Sequence, residues 1–182
     1  MHLRGNLILL LTAFIWGTTF VAQVAGMDGV GPFTYAATRF FLGFLFLLGL
    51  WRVYRPVRMA GRRAGTYHSG WKAGVGAGIF MFIAVSMQQV AMLYTTAGKT
   101  AFITTLYIVL VPLAAVLLGQ RVRILQWCGA FLAFAGVYFL SAHGEVTLNT
   151  GDVLVFICSF FWMAQILLID RFARTVDAIE LC

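Results

Sequence analysis

Few side chains in this sequence can do chemistry, and most of them sit inside long apolar runs. Thr12, Trp16, Thr19 and Gln23 are spaced four, three and four apart, which places them on one face of a helix. An indole flanked by hydroxyls and a carboxamide can hold a small molecule through ring contact and hydrogen bonds. The same pattern also serves as hydrogen-bonding glue between two membrane helices. Both readings are open at this point. Moved along the chain by 146 residues, Thr12, Trp16 and Thr19 fall on Cys158, Trp162 and Gln165, so a Trp-centred face occurs twice.

A second set of residues has the chemistry to hold an anion. Tyr35, Ala36, Arg39 and Gly43 share a helical face. Arg39 lies roughly 10 Å inside its apolar run at the α-helical rise. A charge at that depth costs about 2.5 kcal/mol or more unless it snorkels, pairs or faces water. Facing a cavity, its guanidinium could clamp a carboxylate or phosphate through two parallel hydrogen bonds. The segment Tyr94-Thr95-Thr96-Ala97-Gly98-Lys99-Thr100 joins two apolar runs. Thr95 or Thr96 could cap the helix that follows, and Lys99 beside that helix N-terminus and Arg39 would suit an anionic group. Alternatively, Lys99 is a loop lysine among lipid headgroups. Thr100, Thr104 and Tyr107 continue a polar face, and Ser86, Gln88 and Gln89 lie near the end of the preceding run. The candidate binding residues are Trp16, Thr19, Gln23, Tyr35, Arg39, Gln89, Lys99, Thr104, Tyr107, Trp162 and Gln165.

A catalytic or metal-binding constellation is not expected. Cys128, Cys158 and Cys182 lack metal-ligand or disulfide spacing, and His2, His68 and His143 fall at the terminus or in loops. Asp28, Glu145, Asp152, Asp170, Asp177 and Glu180 are all at ends of runs or in loops. A membrane-embedded enzyme would need a nucleophile–base pair or a metal cluster, so the sequence predicts no enzyme, no metal and no cofactor. A phosphate-binding glycine loop is lacking too, which excludes ATP-driven pumping by this chain alone.

The elements that must position these residues follow from the bulk numbers. Hydrophobic residues make up 62% of the chain and charged ones 10%, with a mean hydropathy of +0.91. Apolar runs near twenty residues recur throughout, so the solvent is a bilayer, and only helices satisfy the backbone over such lengths. The fold class is all-α, a polytopic bundle with six expected spans: Leu7–Ala25, Phe33–Leu50, Ala73–Leu93, Thr100–Leu118, Ile124–Ser141 and Val153–Ile169. The first run is long for a signal peptide and reads as a span. Gly74, Gly76 and Gly78 in the third span suit close helix packing, and Pro112 can kink the fourth.

The formal charge of +7 does not point to nucleic acid, because the cations are sorted by side. With the N-terminus in the cytoplasm, the inside receives Arg4, the run from Arg52 to Lys72, Arg121 with Arg123, and Arg171 with Arg174. That is eleven of the thirteen basic residues. Only Lys99 falls outside, and Arg39 is within a span. This bias predicts a multi-pass protein of the cell (inner) membrane with a cytoplasmic N-terminus. Trp51, Trp71 and Trp127 at cytoplasmic span ends agree with it. The segment Arg52–Lys72, with Pro56, Gly61 and Gly65, reads as a solvated linker touching anionic lipid.

The repeat now gains a physical meaning. Gly5-Asn6 precedes Trp16 by the same interval as Gly151-Asp152 precedes Trp162. Five spans separate the copies, and an odd number inverts the second. Residues 1–146 form one expected repeat and 147–182 the start of another, broken off at Cys182. Inverted repeats around a midplane site are a common plan of secondary transporters.

Phe14-Ile15-Trp16-Gly17, Ala37-Thr38-Arg39-Phe40, the stretch Tyr94 to Ile103, Pro112 and Gly129 … Ala135-Gly136-Val137 together resemble the drug/metabolite transporter superfamily, EamA type. That resemblance implies a ten-helix permease of two EamA repeats that exports amino acids or other small metabolites by alternating access. It implies a small-molecule substrate and a lipid bilayer as partners. Two departures matter. Gly119-Gln120-Arg121 stands where the family commonly has Gly-Glu-Arg, and helices seven to ten, which line half of the family site, lie outside these 182 residues. The competing expectation is a non-transporting membrane fragment or subunit, acting as a homo-oligomer if the chain is complete.

Overall fold

The computed structural model of the chain describes residues 2–61, 70–141 and 149–173. Among these, the chain is helical throughout: α1 His2–Met27, α2 Pro32–Gly61, α3 Trp71–Ala91, α4 Ala97–Thr104, α5 Tyr107–Leu117, α6 Ile124–Ser141 and α7 Thr150–Phe172. Among the described residues, five stretches are long and apolar enough to cross a membrane, with α4 and α5 together making one of them. The shorter α6 has 18 residues. Large apolar side chains cover the outside, with Leu117 81% and Leu125 79% exposed. Water would not tolerate so continuous an apolar surface, whereas lipid is its natural solvent. The chain is a multi-pass helical membrane protein.

Each expected span lies on a helix, and three differences have local causes. First, α2 runs eleven residues past Leu50 into the expected linker, to Gly61. Nothing in Trp51–Arg55 stops a helix that lipid has already nucleated. The rest of the linker, 62–69, lies outside the described residues, as does the second repeat copy beyond Ala173.

Second, the fourth span is two helices rather than one kinked at Pro112. The break is at Thr105–Leu106, where Leu106, Ile108 and Val109 donate to carbonyls three residues back. Thr105 Oγ1 donates to the Ala101 carbonyl at 2.6 Å, a back-bond of the kind that bends helices. Pro112, about two turns on, removes a hydrogen bond to the Ile108 carbonyl. α-Helical bonding resumes with Leu110 N to Leu106 O, so α5 runs on through Pro112.

Third, the α3 glycines differ: Gly76 packs closely and Gly78 does not. A Cβ on Gly78 would meet nothing within 4 Å, whereas one on Gly76 would meet Leu168 at 3.2 Å.

The span ends are set by specific caps. α5 closes in a Schellman turn: Gln120 N donates to Ala115 O and Gly119 N to Val116 O. Gly119 has φ +78°, the left-handed position that glycine fills without a Cβ penalty. Thr96, not Thr95, caps α4 by accepting from Lys99 N at 3.2 Å. α7 opens on a capping box in which Asn149 and Asp152 exchange backbone and side-chain hydrogen bonds.

α7 is the centre of the bundle. It lies along α3 for its full length and also packs on α4 and α5. The two helices are antiparallel: Ala73 meets Ile169 and Phe172, Ala84 meets Cys158, and Ala91 meets Gly151. In lipid no hydrophobic gradient drives helices together, so close van der Waals contact must do so, and small residues permit it. The seam is accordingly Ala73, Ala77, Ala84 and Ala91 against Gly151, Cys158 and Ser159, all buried.

Candidate functional site

The two repeat tryptophans meet. The rings of Trp16 on α1 and Trp162 on α7 are 5.9 Å apart in an edge-to-face arrangement. Tyr107, which opens α5, lies 6.4 Å from Trp16 with an interplanar angle of 26°. Trp162 is 7% exposed and Trp16 43%, so the cluster has a buried wall and an open one. Trp162 Nε1 donates to Gln88 Oε1 at 3.1 Å. This contact follows from helix geometry. In the register set by Ala84 and Cys158, Gln88 sits eight residues along α3 from the position opposite Trp162, roughly 12 Å at the helical rise. Side chains lean toward the N-terminus of their own helix. Because α3 and α7 are antiparallel, Trp162 and Gln88 lean toward each other and close that gap.

The helices that meet at this junction also carry buried polar groups. Gln89 is fully buried and Thr104 is 4% exposed. The carboxamide O and N of Gln89 and the Thr104 hydroxyl have no hydrogen-bond partner among the described residues. Leaving such groups unpaired costs about 1–3 kcal/mol each. Gln23 and Gln165 are buried too. Burial rises along the α1 face, from exposed Thr12 through half-buried Thr19 to Gln23. Thr19 Oγ1 donates to its own helix at Trp16 O, 2.6 Å away, which leaves it only acceptor capacity. The Cys158 thiol is buried and points at the Ala84 carbonyl, 3.2 Å away. Among the described residues no three His, Cys, Asp or Glu side chains come within metal-binding reach of one another.

Three expected residues are held elsewhere. Arg39 lies over the rings of Tyr35 and Phe40 on its own helix, 5.8 and 5.0 Å from their centroids. Tyr35 packs against Gly26 and directs its hydroxyl to the Ala22 carbonyl at 3.4 Å, tying α2 to α1. Lys99 Nζ is 3.6 Å from the Asp152 carboxylate. Arg39 and Lys99 thus meet different partners.

The residues 3–142 match the model of the EamA-like transporter family. The chain belongs to that family. An uncharacterized transporter of Archaeoglobus fulgidus is 34% identical over 176 residues, covering 95% of this chain and 51% of the relative. Another from the same organism is 27% identical over 182 residues, covering 97% of this chain and 61% of the relative. The chain thus spans about half to three-fifths of the length of these relatives. No solved structure matches it significantly. It is a multi-pass membrane chain of the EamA-like transporter family.

Two site residues escaped the sequence reading. Gln88 holds Trp162; periodicity sets the two glutamines on different faces of α3 but not which face meets α7. Asp152 reads as a helix-end acid, yet it is 4% exposed and takes Lys99 as its partner. The Asn149-x-x-Asp152 spacing, that of a capping box, was the available signal.

Proposed function

We propose that this EamA-family chain is part of a secondary transporter that moves small metabolites such as amino acids by alternating access at the junction of two inverted repeats. Residues 1–146 form the first repeat and 147–182 begin the second. The carrying observation is the edge-to-face contact of Trp16 with Trp162, the two residues that the sequence repeat pairs, at mid-span of α1 and α7. With Tyr107 they supply ring faces for the apolar part of a metabolite. Gln89 and Thr104 supply unpaired donors and acceptors for its polar part. Arg39, half-buried over the rings of Tyr35 and Phe40, would meet an anionic substrate on its way in or out. The basic residues support a cytoplasmic N-terminus in the cell (inner) membrane.

The test is counterflow of a panel of labelled amino acids and related metabolites in vesicles carrying the protein. Trp16→Ala is expected to lower the rate for the accepted metabolite at least about tenfold with membrane insertion unchanged, the loss of one well-packed aromatic contact or more. Equal rates for the variant and the parent across the panel would remove this site assignment.

A further inference from the structure

The polar cluster at the start of α7 lies apart from the aromatic junction. Asp152 uses both carboxylate oxygens there. Oδ1 accepts from Thr95 Oγ1 at 2.5 Å. Oδ2 accepts from the Asn149 backbone N–H at 3.1 Å and faces Lys99 Nζ at 3.6 Å. Thr95 belongs to the turn after α3, Lys99 to the first turn of α4, and Asp152 to the first turn of α7. One carboxylate therefore joins three segments.

The helix that carries Lys99 is unusual in this bundle. α4 has eight residues. It is bounded by the turn Met92–Thr96 on one side and by the Thr105–Leu106 break on the other. Every other described helix is longer. Below Lys99, α4 carries Thr100, fully buried, and Thr104, whose buried hydroxyl has no partner. Beyond the break comes Tyr107 and with it Trp16.

We propose that α4 is a hinged gate, latched to α7 by the Lys99–Asp152 ion pair, and that its opening admits water and substrate to the Thr100–Thr104 face and so to the aromatic junction. This rests on the transport reading above. Three features set it apart from a fixed staple. The short helix has a non-α break at each end, so it can tilt as a unit. Lys99 is 24% exposed while Asp152 is 4%, so the flexible partner is the one that water can reach. When Lys99 leaves, Asp152 keeps the Thr95 hydroxyl and its own cap N–H, and no bare carboxylate is stranded. The groups behind the latch are the ones that gain from opening, because water satisfies the Thr104 hydroxyl that the closed bundle leaves unpaired.

The experiment places a single cysteine at Thr100 in a background where Cys128, Cys158 and Cys182 are alanine. The rate of its modification by a charged, membrane-impermeant thiosulfonate is read in sealed vesicles of both orientations. Slow labelling is expected in that parent. Lys99→Met and Asp152→Asn are each expected to speed it about tenfold, from one orientation only, while Lys99→Arg leaves it slow. A second cysteine, at Ala84 in the α3–α7 seam, must stay unlabelled in every variant. Labelling at Thr100→Cys that does not change with Lys99→Met and Asp152→Asn overturns the gate. So does labelling that rises equally at Ala84→Cys, which is loss of packing. Labelling needs no transport: a latch-dependent rate without movement of any metabolite keeps the gate and removes the transport reading, and transport with latch-independent labelling does the reverse.

Discussion

The contact between Gly151 and α3 makes a sharp prediction about stability. A Cβ built on Gly151 would sit 2.7 Å from the Ala91 carbonyl oxygen, 3.0 Å from Tyr94 Cβ and 3.1 Å from Asn149 Oδ1. None of these can yield easily. Ala91 O accepts from both Tyr94 N and Thr95 N, which fixes it in the turn, and Asn149 Oδ1 is the cap acceptor of α7. Gly151→Ala therefore has to push α7 off α3, an overpacking cost of about 1–3 kcal/mol. The gain in helix propensity recovers at most about 1 kcal/mol. The net expectation is destabilisation by about 1–2 kcal/mol. Gly78→Ala is the internal control. It lies on the same seam helix but meets nothing within 4 Å, so only the propensity term acts and the variant should be equal or more stable by up to about 1 kcal/mol. Reversible unfolding in mixed micelles, read by circular dichroism against denaturing detergent, measures both. The packing argument fails if Gly151→Ala is as stable as Gly78→Ala.

Three further expectations rest on separate contacts. Gln88→Leu leaves the buried Trp162 Nε1 without its acceptor and should cost about 1–3 kcal/mol. Trp162→Phe should then cost less in that background than in the parent, which a double-mutant cycle of unfolding free energies reads directly. Gly119→Ala forces a Cβ into φ +78° and should lower stability by about 1–2 kcal/mol in the same assay. Gly129→Ala, which has open space and ordinary φ, should not. Thr96→Ala removes the cap on Lys99 N and should lose about 1 kcal/mol, with Thr96→Ser restoring most of it. Unchanged melting of Thr96→Ala would show that the cap is immaterial to α4.

What was legible in the sequence was the set of elements. Lipid leaves no choice but helices for runs of this length, so the spans follow from hydropathy, and Thr96 was one of the two threonines offered as the α4 cap. The repeat tryptophans were legible as a pair because their types and spacing recur. Tertiary structure alone decided which faces meet. It brought Trp16 to Trp162 across 146 residues, gave Trp162 Nε1 to Gln88, and paired Lys99 with Asp152. It also moved the break in the fourth span upstream of Pro112, where a threonine back-bond and 3₁₀ bonding coincide. The physical reason is the solvent. In water an apolar stripe marks the inward face of a helix. In a bilayer, apolar side chains are equally content on either side, so local sequence encodes the helices strongly and their partners weakly. Those partners are fixed by small-residue seams and a few buried polar contacts, and these exist only once α3, α4 and α7 are packed together.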